Sequence, residues 1–191
     1  MKKSKFEDRY EIRLSGSGGQ GLVLAGVMLA EAIGVFDGKN VTQTQSYGPE
    51  ARGGSSRSDV VVAEGEIYYP KTSKLDLLLC LTQDACDKYV GNLKESGVLI
   101  VDSDIVRQQP PVQNIYALPF TQIAKEKLGT AIVANVVSTA ASVAISGICK
   151  PESFQKAVLR YVPKGTEEKN AQACELGFEM GRKALKEAKS Q

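Results

Sequence analysis

The stretch "SGSGGQGLVLAG", residues 15–26, sets Gly16, Gly18, Gly19, Gln20 and Gly21 directly ahead of an apolar run. The spacing satisfies G-x-G-x-x-G. Glycines at a strand-to-helix corner accept positive φ and let a ligand come up against the backbone. The helix that follows supplies unpaired N–H groups and the positive end of its dipole, so a phosphate or another anion is the natural guest. A corner that only turns the chain would use the same glycines, and the motif alone does not separate the two readings.

A dinucleotide site would need more. An acid near the end of the second strand, about 20 residues on, must hold the ribose hydroxyls. That strand here reads "VTQTQSYG" and carries no acid, while Asp37 lies before it in the connecting turn "FDGKN". The NAD reading therefore lacks its second half. A second unusual stretch follows, "SYGPEARGGSSRSDV". Pro49 stiffens it, Gly48, Gly53 and Gly54 supply turns, and Glu50, Arg52 and Arg57 charge it. Guanidinium groups suit carboxylate or phosphate recognition. A solvated surface loop with ordinary ion pairs is the alternative.

Several chemistries are excluded. The chain has no histidine, so neither a Ser-His-Asp triad nor a Cys-His dyad can be built. Cys80, Cys86, Cys149 and Cys174 form no C-x-x-C pair, which argues against a structural zinc or an iron–sulfur cluster on this chain alone. They read as buried thiols in a reducing compartment. Any difficult chemistry must then sit on a cofactor or on another chain.

With 42% hydrophobic and 24% charged residues, the composition is that of a soluble globular protein. A net charge of +2 and the lack of any basic block with interleaved aromatics set nucleic acid aside. The start "MKKSKFEDRY" has no apolar core of a secretory signal, and no apolar run reaches the ~18 residues of a membrane span. A cytoplasmic location is expected. The 191 residues suit one domain, with 1–9 and 187–191 as peripheral tails.

The elements that must position these residues follow from periodicity. Residues 10–15 alternate and read as a first strand, and Gln20 onward as a helix apolar nearly all round, hence buried. A short strand is expected over 40–45, a loop over 46–57, and a hairpin through "SDVVVAEGEIYYP" with Glu64 and Gly65 at its turn. Residues 75–82 and 97–103 are continuous apolar runs of buried-strand type, with a helix through "QDACDKYVGNL" between them. "NIYALPF" gives a strand ending at Pro119, and "TQIAKEKLG" a short helix closed by Gly129. "TAIVANVVSTAASVAISG" reads as a long core helix, and Pro151 starts another. Thr166 is placed to cap the last helix, on which Ala171, Cys174, Phe178, Gly181 and Leu185 form an apolar seam. The seam covers either the protein's own sheet or a neighbouring subunit, and Gly177 with Gly181 would let another backbone approach. The order predicts an α/β fold: a three-layer α/β/α domain with a mixed, mostly parallel sheet and a Rossmann-like first βαβ.

"GSGGQG" followed by "QSYGPEARGG" resembles the gamma subunit, or gamma domain, of the 2-oxoacid:ferredoxin oxidoreductases. The likeness runs from about Tyr10 to Gly181 and includes "DLLLCLTQDACDKY", "GVLIVDS", Asn135 in the long helix and "EEKNAQACELG". The wording "TQSYGPEARGGSSRSDV" is most similar to the 2-oxoglutarate-type gamma subunits. The resemblance implies a subunit, inactive alone, of an enzyme that oxidatively decarboxylates a 2-oxoacid with coenzyme A to acyl-CoA and carbon dioxide. It implies electrons passed to ferredoxin, with thiamine diphosphate between alpha and beta subunits and iron–sulfur clusters on the beta or a ferredoxin-like subunit. It implies an assembly role for this chain and contact with coenzyme A through Gly16, Gly18, Gly19, Gln20 and Gly21 together with Tyr47, Arg52, Gly53 and Gly54. A stand-alone nucleotide-binding protein and a non-catalytic interaction scaffold are the rival readings.

Overall fold

A computed structural model describes residues 9–47 and 55–190. Strand β1 (Tyr10–Ser17) leads into helix α1 (Leu22–Glu31), which runs on through a π-type turn over Ala32–Phe36. Then come β2 (Asn40–Tyr47), β3 (Ser55–Ala63), β4 (Leu75–Cys80), α2 (Gln83–Tyr89), β5 (Leu93–Asp102) and β6 (Ile115–Leu118). Four helices complete the described chain: α3 (Phe120–Leu128), α4 (Ala134–Ser146), α5 (Pro151–Tyr161) and α6 (Glu167–Ala188).

The strands form one sheet of order β2-β3-β1-β4-β5-β6. β1, β4, β5 and β6 run parallel, while β3 lies antiparallel between β1 and β2. The mixed α/β architecture expected from the element order is therefore present. β1, α1 and β2 keep the direction of a βαβ unit, but β3 is inserted between its two strands.

That insertion corrects the expected hairpin. β3 pairs antiparallel with β1 on one side and β2 on the other, not with the residues after Gly65, and sets Thr44 opposite Asp59 and Ser46 opposite Arg57. Residues 64–74 form no strand. The aromatic residues after Gly65 stay out of the sheet, Tyr68 and Tyr69 being among the most exposed large apolar groups. Pairing also consumes both ends of the expected 46–57 loop. β2 extends to Tyr47 because its backbone finds partners in β3, a gain that residue propensity does not register.

The two sheet faces are unequally clothed. Ile12, Leu14, Val60, Val62, Leu77 and Ile100 face a large core built with α1, α3, α4, α5 and α6. Leu78, Cys80, Leu99 and Val101 face a smaller one under α2. α4 lies between the sheet and α6, and eleven of its thirteen residues are buried. Its serines survive burial because Ser142 Oγ donates to the Ser138 carbonyl and Ser146 Oγ to that of Ser142.

The seam of α6 is wider than expected and meets α4 rather than the sheet: Asn170, Ala173, Cys174, Gly177, Phe178, Gly181 and Ala184 are buried. A Cβ on Gly177 would stand 2.2 Å from the Val137 carbonyl oxygen, and one on Gly181 2.6 Å from that of Ala141. Thr166 does not cap α6 with its side chain. Its hydroxyl donates back to the Pro163 carbonyl, and its carbonyl and hydroxyl both accept from Asn170 Nδ2. α1 also departs from expectation: Leu24 on its outer side is 39% exposed. Among the described residues no helix is long and apolar enough to cross a membrane.

Candidate functional site

The glycine corner is built in two parts. Gly16 is not in the turn. It lies inside β1, opposite Ser56 of β3, and a Cβ there would collide with Gln20 Oε1 at 2.2 Å. Gln20 folds back so that its Oε1 accepts from the Ser17 amide at 2.7 Å, pinning the turn to the strand end. Gly18 and Gly19 are exposed. Gly19 has φ +91° with no atom within 4 Å of a built Cβ, so the turn needs its backbone and leaves open space above it. Gly21, at φ +73°, caps α1 without any side-chain hydrogen bond. Asn135 of α4 donates from Nδ2 to the Gly21 carbonyl at 3.2 Å, fixing the end of α1 against the core.

The first turn of α1 carries no acidic residue, so nothing on the helix opposes a negative guest at its positive end. Beside it opens a hollow of about 380 Å³ lined by Gly19, Gly21, Leu22, Val23, Leu24, Val27 and Ser56. Backbone donors at one end and an apolar flank at the other suit an anion carried on a longer body. Among the described residues that line the hollow there is no acid or base.

Ser56 belongs to β3, so the fold brings the far end of the second stretch to the corner. Its hydroxyl donates to the Ser17 carbonyl at 3.1 Å. Tyr47 ends β2 opposite Ser56. Arg52, Gly53 and Gly54 lie outside the described residues.

Sequence reasoning missed a charged cluster on the α2 face. Arg13 of β1 forms a two-pronged pair with Asp59 of β3: Nε to Oδ1 at 2.7 Å and Nη2 to Oδ2 at 2.8 Å, with both side chains under 8% exposed. Thr72 Oγ1 adds a hydrogen bond to Asp59 Oδ2 at 2.9 Å. The Arg13 guanidinium lies 4.7 Å from the Tyr89 ring centre and that of Arg57 5.5 Å. The signal was the alternation of "YEIRLS", which sets Glu11, Arg13 and Ser15 on one face of what becomes a central strand. Charges there must be paired. Asp37, weighed as a ribose ligand, instead takes the Lys150 amide at 2.9 Å and the Ser153 hydroxyl at 2.5 Å, anchoring the start of α5.

All four cysteines are free and buried. Burial pushes the Cys80 thiol up, and its hydrogen bond to Cys86 draws Cys86 down. Neither is open to a substrate. Burial also raises the Asp102 carboxyl, against the opposing pull of the Thr121 hydroxyl and the amides of Asp104 and Thr121. That carboxyl ties the end of β5 to α3. Among the described residues no group of three or more His, Cys, Asp or Glu could hold a metal ion.

Residues 11–180 match the family described as pyruvate ferredoxin/flavodoxin oxidoreductase. A 2-oxoglutarate synthase subunit KorC from Methanocaldococcus jannaschii is 49% identical over 185 residues, 95% of this chain and 99% of that protein. The crystal structure of a keto/oxoacid ferredoxin oxidoreductase gamma subunit from Geobacter sulfurreducens PCA is 48% identical with a TM-score of 0.85, covering 93% of this chain and 98% of that one. The fold also recurs, at 18% identity and TM-score 0.84, in a 2-oxoglutarate:ferredoxin oxidoreductase from Magnetococcus marinus with 2-oxoglutarate, coenzyme A and succinyl-CoA bound. There this chain covers 32% of the longer polypeptide.

Proposed function

The chain belongs to the pyruvate ferredoxin/flavodoxin oxidoreductase family, and from that membership we propose that it is the gamma subunit of a 2-oxoglutarate:ferredoxin oxidoreductase. The observation that carries this reading is the end-to-end match, at 49% identity, to a 2-oxoglutarate synthase subunit of the same length class. The whole complex converts the oxoacid and coenzyme A to an acyl-CoA and carbon dioxide and delivers electrons to ferredoxin. Thiamine diphosphate and iron–sulfur clusters belong to the alpha, beta and ferredoxin-like partners. On this reading the chemistry is carried by the partner subunits and not by this chain's side chains.

The chain's own contribution is positioning. The Gly18–Gly21 corner presents backbone donors at the open end of α1, where a coenzyme A phosphate gains from the helix dipole. Gly16 and Gln20 shape that corner from behind, Tyr47 ends β2 opposite Ser56, and the family likeness adds Arg52, Gly53 and Gly54 to the proposed contact. Val23, Leu24 and Val27 form an apolar flank on a helix too apolar for a free surface, which suits a neighbouring subunit.

Two measurements test the reading. Tagged chain pulled from its native cell extract should bring down larger partners carrying thiamine diphosphate and iron–sulfur clusters. Within the reconstituted complex, Gly19→Ala should raise the KM for coenzyme A about tenfold, the loss of one charge-assisted contact, while leaving the KM for 2-oxoglutarate alone. An unchanged KM for coenzyme A in a fully assembled complex removes the corner from the site. Turnover of an oxoacid by the isolated chain would refute the subunit role itself.

A further inference from the structure

Over the β2–β3 half of the α2 face, segment 64–74 bridges the sheet where a helix layer would otherwise lie. Arg9 holds this segment through the Tyr69 carbonyl at 2.6 Å and the Lys71 carbonyl at 2.7 Å. Glu11 accepts from the amides of Ser73 and Lys74. Between segment and sheet lies a hollow of about 400 Å³, lined by Thr44, Ser46, Arg57, Asp59, Lys71 and Thr72, with Tyr69 at its edge.

The charges in this hollow do not cancel. Asp59 is its acid, and both carboxylate oxygens are already engaged by Arg13, with Thr72 on the second. Arg57 makes a long ion pair with Asp59, Nε to Oδ2 at 3.7 Å, beyond hydrogen-bond distance, and shares that carboxylate with Arg13. Its guanidinium is held beside Tyr89 yet makes no hydrogen bond among the described residues. The Lys71 ammonium likewise has no partner among them, although its backbone is fixed. The Arg57 guanidinium beside Tyr89, the exposed Lys71 side chain and the hydroxyls of Thr44 and Ser46 thus line one concavity.

We propose that the hollow bounded by Arg57, Lys71, Thr44 and Ser46 is a binding site for a phosphoryl dianion. A carboxylate offers one negative charge, whereas a phosphate monoester carries about −1.5 to −2 and three strong acceptor oxygens. That complement matches two cations and two hydroxyl donors. The guanidinium pairs with two phosphoryl oxygens and the ammonium acts as the point charge. The site lies on the opposite sheet face from α1 and stands independently of the function proposed above. The phosphoryl group comes either as free phosphate or on an organic monoester, for which Tyr69 and Pro70 supply an aromatic and apolar edge.

The test is calorimetric titration of the full chain with inorganic phosphate, phenyl phosphate and succinate at equal ionic strength. Saturable phosphate binding is expected, weakened about tenfold or more by Arg57→Gln and by Lys71→Gln, each of which removes a charge-assisted contact. Lys156→Gln on α5 should leave it unchanged. Lys71 is exposed and its side chain supports no part of the fold, so that variant reads the site even if Arg57→Gln lowers the melting temperature. Phenyl phosphate binding tighter than phosphate assigns an organic monoester, and equal binding assigns free phosphate. Absence of saturable binding, equal affinity in the Arg57→Gln/Lys71→Gln double variant, or a preference for succinate would overturn the proposal.

Discussion

Replacing Asp59 by Asn leaves the shape of the cluster intact and removes the one negative charge among its described residues. Arg13 would then stay 6% exposed with its compensating charge gone. Breaking a buried pair from one side costs about 3–5 kcal/mol, because the surviving ion is neither solvated nor neutralised. Arg13 is not left bare, however. Its Nη2 keeps the Thr72 hydroxyl at 2.8 Å, and its guanidinium stays near the Tyr89 ring at 4.7 Å. Those residual contacts place the expected loss at the lower end, about 3 kcal/mol. Urea denaturation of Asp59→Asn against the parent chain measures it, with the Arg13→Met/Asp59→Leu double variant as the comparison lacking both ions. The double variant removes both ions and should lose less than Asp59→Asn alone, since an apolar pair of similar volume carries no desolvation penalty. The same substitution should strengthen phosphate binding to the neighbouring hollow, where Asp59 is the opposing charge. A loss below about 1 kcal/mol for Asp59→Asn would put the pair in the class of solvated surface bridges and refute this account of the sheet face.

Further outcomes follow from the packing and the titrating groups. Gly177→Ala gains about 1 kcal/mol of helix propensity, but its Cβ falls 2.2 Å from the Val137 carbonyl and 2.7 Å from the Ala140 methyl. Overpacking of that kind costs about 1–3 kcal/mol or more, so the urea midpoint should drop, and a rise would show that α4 and α6 are not in contact there. Cys149 and Cys174 are raised by burial, Cys174 to about 12. Unfolded thiols ionise near ~8.5 while these stay protonated in the fold. Stability is therefore whole below that pH and falls above it by about 1.4 kcal/mol per pH unit per thiol until the native groups ionise. Cys174→Ala should flatten this alkaline slope, and a slope unchanged by the substitution would contradict the assignment. At pH 7 a thiol reagent should label none of the four buried cysteines in the native chain and all four in denaturant. Asp102→Asn should cost about 1–3 kcal/mol, because the amide's NH2 meets an N–H donor where Asp102 accepted from both Asp104 and Thr121.

Much of the architecture is written locally. The continuous apolar runs of β4 and β5 announce strands buried on both faces. Pro119 closes β6, and Gly129 ends α3 at φ +73°. Pro151 opens α5. The glycine corner is legible because positive φ and close approach each demand a residue without a side chain. The absence of histidine by itself removes whole classes of catalysis from this chain. These are properties of single residues or short windows, and they hold wherever the window sits.

Other features exist only once distant segments meet. Nothing within "SDVVVAEGEIYYP" tells β3 to pair with β2 rather than with the residues after Gly65, because antiparallel partners are chosen by the whole sheet's hydrogen bonding. Asn135 becomes a clamp only when α4 is brought to Gly21, and Asp37 an anchor only when the start of α5 reaches it. Arg13 and Asp59 are 46 residues apart. As residues in a string they are two ordinary surface charges, and side by side beneath Tyr89 they become a buried pair that leaves Arg57 only a long ion pair with Asp59 at 3.7 Å. The sequence marked most strands and helices in short windows, although it also suggested a strand after Gly65 that does not form, and its lack of histidine ruled out histidine-based catalysis. Tertiary structure decided which polar groups saturate one another and which remain available, because charge balance belongs to the neighbourhood and not to the residue.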